Sequence, residues 1–281
     1  MRDNVGEEMS LKLMYITNNV EIARIAEQAG VERIWIDLEK LGKAERQKGD
    51  TVKSNHCIED ISNIKPYLKK AQLMVRVNPI HLQSGIEIQQ VIQAGADIIM
   101  LPYYRTVDEV KKFLEYVGGR CRTCLLLETR QAHECLEETL RIDGIDEMYV
   151  GLNDLHLSYE KKFMFELLID GTVYDITTQF RNANMPFGFG GIARLGVGTL
   201  PADYIIAEHY RLGSSSVILS RSFCKAEEYQ DHPKEFEIQF KEEVQRIRNY
   251  EKKLQLEKES FFEENYVEMK HKIEEIVAGV M

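Results

Sequence analysis

Residues 125–132, LLLETRQA, and 149–158, YVGLNDLHLS, are two apolar runs that each end in an acid, Glu128 and Asp154. Such runs read as strands covered on both faces, the way a parallel sheet presents itself in sequence. Each acid then falls where a buried strand surfaces and hands over to a helix. In an alternating β/α chain that end of the strand is where chemistry is placed. Two carboxylates from adjacent strand ends suit a hard divalent cation, Mg²⁺ or Mn²⁺, better than zinc.

The same pattern recurs outward in both directions. Strands are predicted at LKLMYIT (11–17), RIWIDL (33–38), QLMVRVN (72–78), ADIIMLPY (96–103), CRTCLLLET (121–129), EMYVGLND (147–154), FGFGG (187–191) and SVILSRSF (216–223). The segments between them, such as EIARIAEQAG, IEIQQVIQAG and VDEVKKFLEYVGG, carry helical spacing and end in glycine, the preferred residue just past a helix. Eight β/α units predict a TIM (β/α)8 barrel over about residues 11–223.

Beyond Phe223 the character changes. From about 233 to 281 the chain is highly charged, with Phe236, Phe240, Val244, Ile247, Leu254, Phe261, Met269 and Ile273 at mixed spacings of three, four, seven and eight. This reads as an extended C-terminal helical arm, longer than one barrel helix needs, whose apolar stripe calls for a partner. A homo-oligomer assembled partly through the arm is the expectation.

The chain has 281 residues, 44% of them hydrophobic, which suits one catalytic domain across 1–281. A net charge of −10 with no basic cluster argues against nucleic acid and for small-molecule partners. The five cysteines are scattered and odd in number, as reduced core residues are; Cys121 and Cys124 form a CxxC with no second pair at zinc-ribbon spacing. MRDNVGEEMS does not resemble a signal peptide and no run is long enough to span a membrane, so a cytoplasmic location is expected.

WIDLEK (35–40), VRVNP (75–79), AGADIIMLPY (94–103), LLLETRQA and VGLNDLHLS occur in the order seen in the HpcH/HpaI aldolase and citrate lyase β-subunit family, and the chain resembles that family over roughly 11–223. The resemblance implies a metal-dependent carbon–carbon lyase acting through the enolate of pyruvate, a similar 2-oxo acid or an acyl-CoA. It makes Glu128 and Asp154 the metal ligands and Arg76 the partner of the developing enolate oxygen, with backbone amides around Asn153 and Asp154 receiving the substrate carboxylate. A fixed guanidinium beside that oxygen supplies preorganised stabilisation.

The plainer readings are a helix-dipole acid for Glu128, an N-cap for Asp154 and a structural ion pair for Arg76. Gly188, Gly190 and Gly191 permit either close ligand approach or close packing.

The departures from the family are local. Where the aldolases read Asp-x-Glu-His, this chain reads Asp37-Leu38-Glu39-Lys40, and Leu126 stands where many carry Gln. Asp37 and Lys40 are therefore candidate proton-handling residues, with His56 the next candidate base and His81 and His156 behind it. Two other readings keep the barrel: phosphoryl or hydrolytic chemistry on a phosphoenolpyruvate-like substrate, and a barrel that binds ligand without turnover.

Overall fold

The eight apolar runs form eight parallel strands: β1 (Lys12–Ile16), β2 (Arg33–Asp37), β3 (Gln72–Arg76), β4 (Ile98–Leu101), β5 (Arg122–Leu127), β6 (Glu147–Val150), β7 (Phe187–Ile192) and β8 (Ser216–Leu219). They pair in chain order, and β8 closes on β1 with Leu13 opposite Val217, so the sheet has no edge. The computed structural model describes residues 10–42 and 55–279. Residues 1–9 of the segment read above as no signal peptide, and the last two residues of the arm, lie outside the described residues.

The helices are α1 (Val20–Ala29), α2 (Ile58–Ile64), α3 (Ser84–Ala94), α4 (Val107–Val117), α5 (Arg130–Glu134), α6 (Leu136–Thr139), α7 (Leu152–Ser158), α8 (Glu166–Ile169), α9 (Thr172–Asn182), α10 (Ala202–Leu212), α11 (Glu228–Asp231), α12 (Pro233–Leu254) and α13 (Glu259–Ala278). Their punctuation follows the sequence. Asn19 caps α1 and Thr106 caps α4, while Gly30, Gly95 and Gly118 close α1, α3 and α4 in the left-handed conformation.

Strand periodicity of two then sorts the side chains. Met14, Trp35, Met74, Ile98, Met100, Cys124, Leu126 and Tyr149 fill the barrel interior, while Leu13, Ile34, Ile36, Leu73, Val75 and their counterparts pack outward beneath the helices. On β2 the inward set is Arg33, Trp35 and Asp37. One strand therefore carries an ion at each end of the barrel with an indole between, and at roughly 3.3 Å per residue the two ions stand about 13 Å apart along it. At the N-terminal end Arg33 donates both arms of its fork to Glu147, each bond 2.8 Å, with the pair almost wholly buried.

β7 shows why its glycines are needed. A Cβ on Gly188 would lie 2.2 Å from Ser216 Oγ and 2.5 Å from the Tyr149 ring, so only glycine lets that ring into the interior. The β7–β8 register slips between Gly188 and Gly191. Tyr149 Oη repairs it, donating to the carbonyls of Phe189 and Gly190 and accepting from Ile218 N–H. Packing accounts for these glycines without a ligand.

One expectation is corrected and one is refined. β6 ends at Val150, not at Asp154: Gly151 turns the chain, Leu152 is buried, and Asn153 and Asp154 lie in the first turn of α7. The C-terminal region is two helices, α12 and α13, separated near residues 255–258. Much of its stripe is covered within this chain. Phe236, Phe240, Val244, Ile247 and Leu254 of α12 are buried, with α12 against α1, and Met269 and Ile273 of α13 are buried, with α13 against α10. Phe261 is half-buried, Ile238 and Val267 on the same helices are exposed, and the mixed spacings belong to two helices with separate faces.

Cys121 and Cys124, three positions apart near one strand, have different surroundings, Cys124 inside the barrel and Cys121 half-buried. Among the described residues no helix is long and apolar enough to cross a membrane.

Candidate active site

Asp37 and Arg76 are the last residues of β2 and β3 and face each other in register. Arg76 donates from Nε and Nη2 to the two oxygens of Asp37 at 2.9 and 2.8 Å, and its Nη1 lies 3.4 Å from Glu39 Oε2. Its guanidinium also sits over the Trp35 ring, 5.1 Å from the centroid. Burial works against the charge on Arg76, but Asp37, Glu39 and Glu128 more than reverse that, and the guanidinium is held protonated above its ordinary range. The three anchored N–H groups leave two of the five for another acceptor. Asp37 is fully buried, and Arg76 retains 13% side-chain exposure towards the mouth.

Glu128 directly follows β5 and is buried. Its Oε1 accepts from Tyr103 N–H at 3.0 Å, and Tyr103 adopts a left-handed φ of 50° at the end of β4 to present that amide. Its other face rests on Gly151. A Cβ there would lie 2.8 Å from Glu128 Oε2 and 2.9 Å from Glu128 Cβ, so glycine makes the cradle in which this carboxylate sits. Leu126, where the family often has Gln, is 3.2 Å from the same point and packs into the interior.

Asp154, in the next β/α unit, is also buried. Asn153 is exposed, and its Nδ2 reaches Asp154 Oδ1 at 3.5 Å. The first-turn amides of α7 that these residues carry have no intrahelical acceptor.

The donor chemistry at this end fits a hard cation. Two buried carboxylates offer oxygen ligands only, one of them seated in a glycine cradle with an arginine field behind it. Among the described residues no group of three or more His, Cys, Asp or Glu is arranged to hold a metal.

Two candidate proton carriers share a hollow of about 310 Å³: the exposed Lys40 lines it with His56, Leu38, Asn78 and Glu87. Its backbone N–H, with that of Leu41, donates to Asn78 Oδ1. His56 is buried, and its Nδ1 accepts from the Asp37 backbone N–H at 3.0 Å, which places the proton of the neutral ring on Nε2. His81 donates to Glu87 within its own loop and helix, and His156 pairs with the Leu152 carbonyl.

Sequence reasoning missed Arg221, just beyond β8. Burial lowers its pKa, Arg76 acts in the same direction, and Asp37 and Glu227 act against it, so Arg221 shares the electrostatic field of the β2–β3 centre. It lines a cavity of about 440 Å³ between β1 and β8 to which His56 also contributes. The signal was present in SVILSRSF: an apolar run ending in a charge, as at Glu128.

Three comparisons bear on this geometry. The family model described as HpcH/HpaI aldolase/citrate lyase matches residues 12–184. Among solved structures, an HpcH/HpaI aldolase from Desulfitobacterium hafniense DCB-2 superposes with a TM-score of 0.60 at 13% identity, covering 80% of this chain and 91% of that one. An HpcH/HpaI aldolase/citrate lyase family protein from Burkholderia cenocepacia J2315 gives 0.59 at 13% identity, covering 80% and 94%. The citrate synthase SbnG gives 0.58 at 14% identity, covering 80% and 90%. At such identities these likenesses speak for the barrel fold. No curated protein matches the sequence.

Proposed function

This chain belongs to the HpcH/HpaI aldolase/citrate lyase family, and from that membership we propose that it is a divalent-metal-dependent carbon–carbon lyase acting through the enolate of pyruvate or a similar 2-oxo acid. Members of the family are in general lyases and aldolases and commonly use a divalent metal. The observation that carries the proposal is the setting of Arg76: forked on to Asp37, backed by Trp35, and within the field of Glu128.

Glu128 and Asp154 would hold Mg²⁺ or Mn²⁺, which would supply Lewis-acid polarisation of the substrate's keto oxygen. Arg76 presents its two remaining N–H groups to that oxygen as negative charge grows on it. Because Asp37, Glu39 and Trp35 already fix the guanidinium, its dipoles need no reorganisation at the moment of reaction. The first-turn amides at Asn153 and Asp154 receive the substrate carboxylate.

Lys40, read from the sequence as a proton carrier, lines one hollow with His56 and handles the proton at the methyl carbon. The His56 Nδ1 lone pair is taken by the Asp37 N–H and Nε2 of the neutral ring bears its proton, so His56 positions rather than accepts. Asp37 positions both Arg76, through its carboxylate, and His56, through its backbone.

The test is exchange of pyruvate methyl protons in D₂O with Mg²⁺, followed by NMR. Exchange well above the rate with Mg²⁺ alone is expected, with Lys40→Gln slowing it more than His56→Gln. No enhancement over metal alone would remove the enolate reading.

A further inference from the structure

The segment that leaves β2 is fastened one amide at a time. Asp37 N–H donates to His56 Nδ1 at 3.0 Å, Leu38 N–H to the Arg76 carbonyl at 2.9 Å, and Glu39 N–H to Asp37 Oδ1 at 3.2 Å. The next two amides, of Lys40 and Leu41, converge on a single atom, Asn78 Oδ1, at 2.8 and 3.0 Å. Both residues are exposed, so these bonds and not packing fix the backbone there. Asn78 stands two residues past Arg76, so the strand that ends in the guanidinium also leads to the anchor for the lysine.

Asn78 is itself held. Its Nδ2 donates to Glu87 Oε1 at 2.7 Å, and its backbone N–H reaches the same oxygen at 3.2 Å. Glu87 lies in the first turn of α3, where the helix field favours an acid, and its other oxygen meets His81 Nε2 at 3.0 Å. His81 Nδ1 accepts from Gln83 N–H at 3.2 Å, so the neutral ring carries its proton on Nε2 and donates it to Glu87. The Asn78 amide therefore has one orientation, its oxygen towards two donors and its nitrogen towards an acceptor. Lys40, Asn78 and Glu87 line the hollow of about 310 Å³ together.

We propose that Asn78 is a positioning residue for Lys40, holding the backbone of the proton carrier at the rim of that hollow, with Glu87 and His81 fixing the Asn78 amide from behind. The inference rests on the enolate reading for the work that Lys40 does. The ammonium rides on a flexible four-carbon stem, so the place it can reach is set by where its Cα is pinned. A drift of about 1 Å there displaces the whole range and is enough to spoil proton transfer. His81 then supports the anchor instead of carrying a proton, with one ring nitrogen given to Gln83 and the other to Glu87.

The test reverses the polarity of the Asn78–Glu87 bond. In Asn78→Asp the anchoring oxygen survives, but a carboxylate then faces the Glu87 carboxylate and the two repel. Adding Glu87→Gln moves the amide to position 87, where its N–H donates to the acid at position 78 and the anchor is restored. With pyruvate and Mg²⁺ in D₂O, Asn78→Ala and Asn78→Asp should each lower kcat for methyl exchange about 10- to 100-fold. KM should stay within about twofold of wild type, and the double variant should recover kcat to within about threefold. A residue that only supported the fold would lower the urea midpoint and leave kcat per folded molecule unchanged. An Asn78→Ala rate within about twofold of wild type, or a double variant no faster than Asn78→Asp, would overturn the proposal.

Amide hydrogen exchange at Lys40 and Leu41 reads the anchor without substrate and so separates it from the enolate reading. Both amides should be protected in wild type and in the double variant, and should exchange at least about tenfold faster in Asn78→Ala. That order of protection in a protein with no methyl exchange supports the anchor and removes the enolate reading. Unprotected amides in wild type refute the anchor.

Discussion

The two ends of the barrel each bury an arginine against a carboxylate, and they are built differently. At the N-terminal end Arg33 forks on to Glu147, the pair almost completely excluded from water, with the half-exposed Arg122 4.0 Å from the same carboxylate. At the C-terminal end Arg76 is divided between Asp37 and Glu39, lies in the field of Glu128, and keeps N–H groups for a further acceptor. We read the buried N-terminal pair as a structural device and the shared arginine with spare donors as the site proposed above. β2 supplies one partner to each, from the same inward face, with Trp35 between them.

The largest effect that would break this contrast is loss of the proposed metal ligands. Glu128→Gln or Asp154→Asn should lower turnover by about 10³- to 10⁴-fold, some 4–5 kcal/mol in barrier, and Mn²⁺ titration followed by EPR should show weakened binding. Melting should change little. Glu147→Gln should do the reverse. It strands Arg33 in the interior and should cost about 3–5 kcal/mol in urea unfolding, with turnover per folded molecule unaltered.

Arg76→Lys retains a charge and loses the fork. Turnover should fall about 10²- to 10³-fold, roughly 3–4 kcal/mol, with Mn²⁺ affinity near wild type. Gly151→Ala is a gentler probe of the same end. Its φ of −82° accepts alanine, so the damage comes from the new methyl displacing the Glu128 carboxylate. We expect about a tenfold weaker Mn²⁺ affinity, ~1.4 kcal/mol, from a protein that still folds.

His209 sharpens the comparison as a buried titratable group that belongs to neither end. It stacks on Phe189 at 3.7 Å, and burial lowers its pKa to about 3. The unfolded chain takes up a proton as the pH falls below about 6.5, and the folded protein does not until about 3. Its contribution is therefore complete above pH 6.5 and declines by up to ~1.4 kcal/mol per pH unit as the pH falls through that window. Unfolding of His209→Gln should show a shallower acid slope than wild type.

The barrel was legible because each strand is a continuous apolar run bounded by a helix stop, and local pattern alone specifies both. Glu128 was legible for the same reason. The pattern failed where a long-range contact decides the outcome. β6 stops early because Gly151 must turn against Glu128, 23 residues earlier in sequence. The C-terminal helices share no single stripe, and the break near 255–258 carries neither glycine nor proline to announce it. Lys40 and His56 are both close to β2 in sequence, and only the three-dimensional course of the chain brings the histidine on to the Asp37 amide and both residues to one hollow.

The central claim is that chemistry resides at one end of the barrel and stability at the other. Pyruvate methyl exchange in D₂O with Mg²⁺, measured side by side on wild type, Glu128→Gln and Glu147→Gln, tests it most directly. Wild type and the folded fraction of Glu147→Gln should exchange at equal rates, and Glu128→Gln should match the metal-only control. Wild type no faster than that control, or Glu128→Gln as fast as wild type, would contradict the account.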